Sequence, residues 1–154
     1  PEKEPLLNAL KLGFIPVLHG DIVFDEALGF SIISGDQIIA KLAPKIKADK
    51  VIFGCDVDGI FTADPKKNPN AKLIPIIDST NFKGIIKMVR QLEVADVTGG
   101  MKGKLLECLT LAKKGIESVI INLTKPGNLT AFLNGSPIPC TKFIPFNLNK
   151  KIYL

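Results

Sequence analysis

The sequence lacks long apolar runs, paired cysteines and a strong excess of one charge, and each lack excludes a class of protein. No apolar run approaches the roughly 18 to 20 residues that a helix needs to cross a bilayer, so no membrane segment is predicted. The three cysteines (Cys55, Cys108 and Cys140) include no CxxC pair, and with a single histidine this argues against a zinc site. The formal net charge of +5 favours an anionic ligand but is far too small to indicate nucleic-acid binding.

What the sequence does contain is typical of one folded domain. The chain has 154 residues, of which 46% are hydrophobic and 23% charged, and this composition excludes a disordered or collagen-like chain. The odd, widely spaced cysteines fit reduced thiols, and therefore a cytoplasmic location. The chain opens with Pro-Glu-Lys-Glu-Pro and has no initiator Met, so we expect it to be part of a longer protein.

Short apolar runs alternate with helical patterns along the chain. Strands are predicted at 15–18, 22–24, 30–33, 51–53 and 73–77, at 119–121, and from 143 onward. Helices are predicted at 6–12, 37–46, 82–92, 104–114 and 128–133, the fourth with Leu106 among its inward side chains. The runs 22–24 and 30–33 should form a hairpin. Strands alternating with helices define an α/β fold with a mainly parallel sheet, whose ligands bind beyond the carboxyl ends of strands.

Acidic residues cluster in the loops that follow the apolar runs. Asp36 lies at the start of a predicted helix, where it either caps the helix or orients lysine side chains toward a phosphate. Asp56 and Asp58 follow the run at 51–53. They form either a polar turn or a site for ribose hydroxyls or a phosphate-bound Mg²⁺. A calcium loop is not expected, because Phe61 stands where that loop needs glycine. We interpret Cys55 as a packing residue.

A pair of glycines precedes the strongest helical pattern. Gly99 and Gly100 leave backbone N–H groups accessible to an anion, and Lys104 is predicted on the first turn of the helix. The segment therefore forms either a phosphate cradle or a flexible loop with a solvated lysine. It is not a Walker A loop, because Leu105 follows Lys104 where that loop has Ser or Thr.

The order and spacing of these segments resemble the amino acid kinase superfamily, and most closely the archaeal-type isopentenyl phosphate kinases. The segments that carry the resemblance are Gly13-Phe-Ile-Pro-Val-Leu-His-Gly-Asp21, Ser34-Gly-Asp-Gln-Ile38 with Leu42-Ala43, Asp56-Val-Asp-Gly-Ile-Phe-Thr62 with Asp64-Pro65, and Asp96-Val-Thr-Gly-Gly-Met101 with Gly103-Lys104. The last of them is the most specific. The resemblance as a whole covers nearly the entire chain.

The resemblance implies a fold, a reaction and its cofactors. The fold would be a three-layer αβα sandwich, with residues 1–154 as the C-terminal, nucleotide-binding portion of a single domain whose N-terminal part is absent. The reaction would transfer the γ-phosphoryl of ATP, with Mg²⁺, to isopentenyl phosphate, giving isopentenyl diphosphate. The alternatives are another small-phosphate kinase, of the fosfomycin-type or uridylate kinase class, and a non-catalytic nucleotide-binding fragment. The substrate would be a small phosphate compound, and the family often forms homodimers.

The resemblance also assigns roles on the nucleotide side. Lys104 would neutralise charge on the transferred phosphoryl group, which makes it a catalytic residue as well as an ATP contact. Gly99 and Gly100 would approach the nucleotide through their backbone. Asp56 and Phe61 would line the nucleoside pocket, where the family usually has Tyr at the second position.

On the acceptor side, the resemblance assigns two residues and shows two departures. Gly35 would contact the acceptor phosphate through its backbone, and Asp36 would act in catalysis by orienting the active-site lysines. The family's N-terminal glycine-rich and lysine-bearing loops do not occur in this sequence. The usual Gly-Thr near the C-terminus reads Cys140-Thr141, so the final loop is expected to differ.

Overall fold

The computed structural model describes residues 3–92 and 100–146 and divides the chain into two compact units. The first unit is Pro1–Ala48 and the second is Asp49–Leu154. None of the helices in the described part of the chain has the length and apolar character needed to cross a membrane.

The first unit contains two helices and a hairpin. Its elements are α1 (Lys3–Lys11), β1 (Asp21–Asp25), β2 (Gly29–Ile33) and α2 (Gly35–Ile46). The strand predicted at 15–18 is wrong, because that run forms no strand. The cap of α2 is Ser34 and not Asp36: the Ser34 hydroxyl accepts a hydrogen bond from the Gln37 N–H at 3.2 Å, and the Gln37 side chain accepts one from the Ser34 N–H at 2.9 Å.

The predicted hairpin is confirmed, and one of its faces is apolar. Its antiparallel register places Ile22 opposite Ile32 and Phe24 opposite Phe30, and all four side chains are exposed. The turn is held by Asp25, whose carboxylate accepts hydrogen bonds from two backbone N–H groups at 2.9 Å each.

The second unit is built on a four-stranded sheet with the strand order β3-β5-β6-β4. Its elements are β3 (Lys50–Cys55), β4 (Ile76–Ile77), α3 (Phe82–Leu92), α4 (Gly100–Lys113), β5 (Glu117–Asn122), α5 (Asn128–Leu133) and β6 (Cys140–Phe143). Strands β3 and β5 are parallel, as are β4 and β6, whereas β5 and β6 are antiparallel. The α/β class is confirmed. The sheet is mixed because β6, which follows β5 after the short helix α5, runs antiparallel to β5.

The core of the second unit lies around β5 and α4. Residues 118–122 of β5 are all buried, although successive side chains point to opposite faces, so both faces of this strand are covered. On α4 the buried face includes Leu105, Leu109 and Ala112. Leu106 is exposed, and the prediction that it faces inward is wrong, because it lies about 100° around the helix from Leu105.

The last strand is displaced from its predicted position. The sequence predicts a strand from residue 143 onward, but β6 ends there and begins at Cys140. In the backbone pairing with β5, Cys140 lies opposite Ile121 and Thr141 lies opposite Ile120. Both Cys140 and Thr141 are buried. The Cys-Thr pair therefore belongs to the sheet, because its backbone pairs with β5.

Candidate functional site

A cavity of about 440 Å³ opens in the second unit beside the carboxyl end of β3. Its lining comes from the loop that follows β3, from Val89 on α3, and from Gly100, Met101 and Lys104 on α4. This is the edge of the sheet at which the fold class predicts a ligand.

Four of the predicted site residues line this one cavity. They are Asp56 and Phe61 from the loop after β3, and Gly100 and Lys104 from α4. Gly99 lies outside the described residues. Gly35 and Asp36 belong to the first unit, in the first turn of α2. The ligand contacts assigned to all seven residues stay predictions.

The structure corrects the position of Lys104 on its helix. Because α4 already includes Gly100, Lys104 lies at the start of the second turn, and Gly103 is helical rather than part of a loop. The sequence suggested a later start because glycine is a poor helix former. Helical side chains lean toward the N-terminus, so the Lys104 side chain extends toward the Gly100 end of α4, which also lines the cavity. A cation beside a glycine that exposes its backbone is a favourable arrangement for a phosphate.

The cavity has a second lysine that sequence reasoning missed. Lys66 lies in the cavity lining, and its Nζ is 2.5 Å from the Asp56 carboxylate. This hydrogen bond lowers the pKa of Asp56 and raises the pKa of Lys66, so the two groups stay oppositely charged at neutral pH. The signal available in the sequence was weak, since the segment from Asp64 to Lys66 reads as an ordinary polar loop.

Asp58 faces a different partner. The Lys125 ammonium, in the loop after β5, contacts both Asp58 carboxylate oxygens, at 2.7 and 2.8 Å. Asp56 and Asp58 therefore use their carboxylates in separate ion pairs, and each pair fixes a different part of the loop. The contact ties Asp58 to the loop after β5, and the two interpretations of Asp58, a polar turn or a ligand site, stay predictions.

A buried asparagine connects the loops that follow β3 and β5. The Asn122 side chain, 5% exposed, accepts hydrogen bonds from the Thr124 N–H at 2.9 Å and from the Thr124 hydroxyl at 2.6 Å. The side-chain amide of Asn122 donates to the Asp56 main-chain carbonyl at 3.3 Å, and the main-chain carbonyl of Asn122 accepts from the Asn128 side-chain amide at 3.0 Å. The backbone of the cavity loop is thereby held by the end of the central strand.

Cys55 is half-buried and contributes to the cavity lining, and its interpretation as a packing residue stays a prediction. Its thiol donates to the Val57 carbonyl at 2.8 Å. Burial raises the pKa of the Cys55 thiol, and the hydrogen bond with the Val57 carbonyl and the positive charge of Lys104 offset this only in part. The group is therefore a neutral thiol near pH 7 and a poor nucleophile.

The donors in the cavity suit a phosphate better than a metal held by protein alone. Lysines and helix N–H groups bind phosphate oxygens, and the apolar Ile60, Phe61 and Val89 offer a surface for a flat ring. Among residues 3–92 and 100–146, no group of three or more His, Cys, Asp or Glu side chains could hold a metal ion. A Mg²⁺ ion at this site would take most of its oxygen ligands from the phosphates and from water, as is usual for that ion.

Comparison with known proteins places the chain in a family. The model of the amino acid kinase family matches residues 2–122, and the chain belongs to this family.

Among its relatives are several isopentenyl phosphate kinases. The chain is 43% identical over 135 residues to that of Methanothermobacter thermautotrophicus, covering 86% of this chain and 50% of that protein. It is 39% identical over 114 residues to that of Thermoplasma acidophilum, covering 74% and 43% respectively. Glutamate 5-kinase of Thermus thermophilus is 34% identical over 137 residues, covering 88% of this chain and 36% of that protein. The chain spans half or less of the length of these relatives.

Solved structures confirm the α/β fold. The chain superposes on a crystal structure of isopentenyl phosphate kinase with a TM-score of 0.73 and 37% identity, covering 92% of this chain and 50% of that one. UMP kinase from Ureaplasma parvum, at 21% identity and a TM-score of 0.60, shares the fold.

Proposed function

We propose that this chain supplies the nucleotide-binding part of an ATP-dependent kinase that converts isopentenyl phosphate into isopentenyl diphosphate. The observation that carries the proposal is the single cavity that gathers Asp56, Phe61, Gly100 and Lys104 at the carboxyl end of β3. The relatives named isopentenyl phosphate kinase support the choice of substrate, because the chain is 39% and 43% identical to two of them.

The chemistry of phosphoryl transfer matches what the cavity offers. Such a reaction depends on holding the reacting groups in line and on neutralising charge on the phosphoryl oxygens. Lys104 would supply a positive charge, and the backbone at Gly100 would approach the phosphate oxygens from the same helix. Mg²⁺, when bound with ATP, would neutralise further charge on the β- and γ-phosphates.

The nucleoside would occupy the apolar part of the cavity. Phe61 and Ile60 come from the loop after β3, and Val89 faces them from α3. An aromatic ring and two aliphatic side chains can hold a base by packing. Because residue 61 is Phe where the family usually has Tyr, this contact would be apolar and would lack a hydroxyl.

The acceptor side of the proposal depends on the first unit. Gly35 and Asp36, at the start of α2, would contact the acceptor phosphate and orient the lysines. Because the chain spans half or less of its relatives, the rest of the acceptor site would come from a longer protein. A cytoplasmic location, a role in the mevalonate pathway and a homodimeric state are part of the same proposal.

The same experiment tests two alternatives. The first alternative is a kinase with another small acceptor, because glutamate 5-kinase is a relative of this chain and UMP kinase shares its fold. The other is a module that binds nucleotide without turnover.

The decisive experiment separates binding from transfer. ATP binding would be measured by calorimetry on this chain, and phosphoryl transfer on a longer version that spans the length of the relatives. The acceptors would be isopentenyl phosphate, UMP and glutamate. We expect ATP binding in both and transfer to isopentenyl phosphate in the longer version. Preferred transfer to UMP or glutamate would replace the proposed acceptor, and binding without transfer in the longer version would favour the module.

A further inference from the structure

We infer that Thr141, on β6, is a positioning residue for the nucleotide cavity and acts through its hydroxyl group. The inference rests on the proposed function, because it concerns how the nucleotide part of the cavity keeps its shape. Thr141 itself is fully buried and is not among the residues that line the cavity.

The part of the cavity concerned is the segment of residues 59–61, called here the cavity floor. Gly59, Ile60 and Phe61 all line the cavity. Ile60 is also part of the core, so the floor joins the ligand site to the interior of the sheet. A shift of its backbone would therefore move the surface that meets the nucleotide.

The Thr141 hydroxyl holds the floor from behind. Its oxygen accepts a hydrogen bond from the Ile60 N–H at 2.8 Å and donates one to the Ile74 carbonyl at 2.7 Å. Ile74 and Ile60 are also bonded to each other, because the Ile74 N–H donates to the Ile60 carbonyl at 2.8 Å. One side chain thus fixes two chain segments to β6, and its loss would leave a buried donor and a half-buried acceptor without this partner.

Gly59 shows how closely the floor approaches this side chain. Its φ is +149°, and a Cβ at this position would lie 2.3 Å from the Thr141 hydroxyl oxygen and 2.9 Å from the Thr141 nitrogen. The second of these atoms belongs to the backbone and cannot move aside easily. The glycine is required here by the close packing of the floor against Thr141 as well as by its own conformation.

The next residues of the floor are held by a second, independent contact. The Thr62 N–H donates to the Lys72 carbonyl, and the Lys72 N–H donates to the Thr62 hydroxyl, both at 2.9 Å. Phe61 is therefore held on one side by Thr62 and on the other by Thr141 acting through Ile60. Removing the Thr141 hydroxyl should loosen the Ile60 end of this short segment, which keeps only its bond to the Ile74 N–H, and leave the Thr62 end fixed.

The test uses two substitutions that separate the hydroxyl from the methyl group. Thr141→Val keeps the shape and removes the hydroxyl, whereas Thr141→Ser keeps the hydroxyl and removes the methyl. Ser118→Ala is the matched control. Ser118 is fully buried in the same sheet, and its hydroxyl has no hydrogen-bond partner among the described residues. Amide hydrogen exchange at residues 59–61 and calorimetric ATP affinity would be measured for all three and for the unsubstituted chain.

We expect Thr141→Val to speed exchange at the Ile60 amide and to weaken ATP binding about tenfold, the scale of one net hydrogen bond. Thr141→Ser and Ser118→Ala should keep both values near those of the unsubstituted chain. Unchanged exchange or unchanged affinity in Thr141→Val would overturn the inference, as would an equal loss in Thr141→Ser. An unsubstituted chain that binds no ATP would instead contradict the proposed function, and the inference would fall with it.

Discussion

The two units place the same kind of residue in opposite surroundings. Phe24 lies on a strand of the first unit and is 100% exposed, whereas Phe53 lies on a strand of the second and is 2% exposed. Strand β1 has one neighbouring strand, in a hairpin, while β3 belongs to a four-stranded sheet. Within the described part of the first unit, the buried apolar residues are all on α2.

The difference shows what a site needs from a fold. A two-stranded hairpin has little capacity to bury side chains and is marginally stable by itself. The sheet of the second unit buries its central strand on both faces and fixes the loops at the strand ends. The cavity opens at one of those fixed loops, so the shape of the candidate site depends on the packing of the sheet.

The largest effect should come from the core of the second unit. Phe53→Ala removes a buried aromatic ring from β3, and we expect the free energy of unfolding to fall by about 3 to 5 kcal/mol. Urea denaturation followed by circular dichroism would measure it. A loss below about 1 kcal/mol would show that β3 is not held in a packed core.

Lys104→Ala should have the next largest effect, on catalysis rather than on stability. In a version of the protein that spans the length of the relatives, we expect turnover to fall by about 10²- to 10³-fold, or ~3 to 4 kcal/mol, with a smaller change in ATP affinity. Lys113→Ala, in the last turn of the same helix, is the control. Steady-state kinetics would measure both, and an unchanged turnover would remove Lys104 from the proposed role.

A smaller effect should come from the buried asparagine that joins the two loops. Asn122→Ala leaves the Asp56 carbonyl and the Thr124 N–H without their partner, and we expect a loss of about 1 to 3 kcal/mol in the free energy of unfolding. Asn128→Ala removes a single hydrogen bond from the same cluster and should cost less. Urea denaturation of the two variants compares them, and equal losses would contradict the central role of Asn122.

The smallest effect should come from the hairpin. Phe24→Ser replaces an exposed side chain, and we expect the free energy of unfolding to change by no more than about 0.5 kcal/mol. The same urea measurement applies, with Phe53→Ala as the contrasting variant. A loss above about 2 kcal/mol would break the comparison between the units, because it would mean that this face is covered in solution.

Much of the fold could be predicted from local pattern. The helices at 82–92 and 128–133 have the predicted bounds, and the strands β3 and β5 include the predicted apolar runs. The failures depend on partners that no local pattern reveals. The run at 15–18 has β-type residues but forms no strand, and β6 begins with Cys140 and Thr141 because the neighbouring β5 offers them a place.

The candidate site divides in the same way. Asp56, Phe61, Gly100 and Lys104 could be selected from the sequence, because their motifs resemble a known family, and they line one cavity. The contacts that hold this cavity in shape were missed. Lys66 reads as part of a polar loop, Asn122 reads as an ordinary polar residue near a strand, and Thr141 stands out only as part of the Cys140-Thr141 pair. Their importance comes from hydrogen bonds to residues far away in the sequence, which only the folded chain brings together.

The strand order of the second unit also governs how the protein assembles. Residues 50–55 pair with residues 117–122, and residues 76–77 pair with residues 142–143, so neither parallel pair can form locally. Contacts between distant residues carry a large loop-closure entropy and slow folding. During synthesis β3 must wait for β5, and β4 must wait for β6. Until β5 has been made, the apolar strand β3 lacks its neighbour, and unpaired apolar strands of this kind are prone to aggregate.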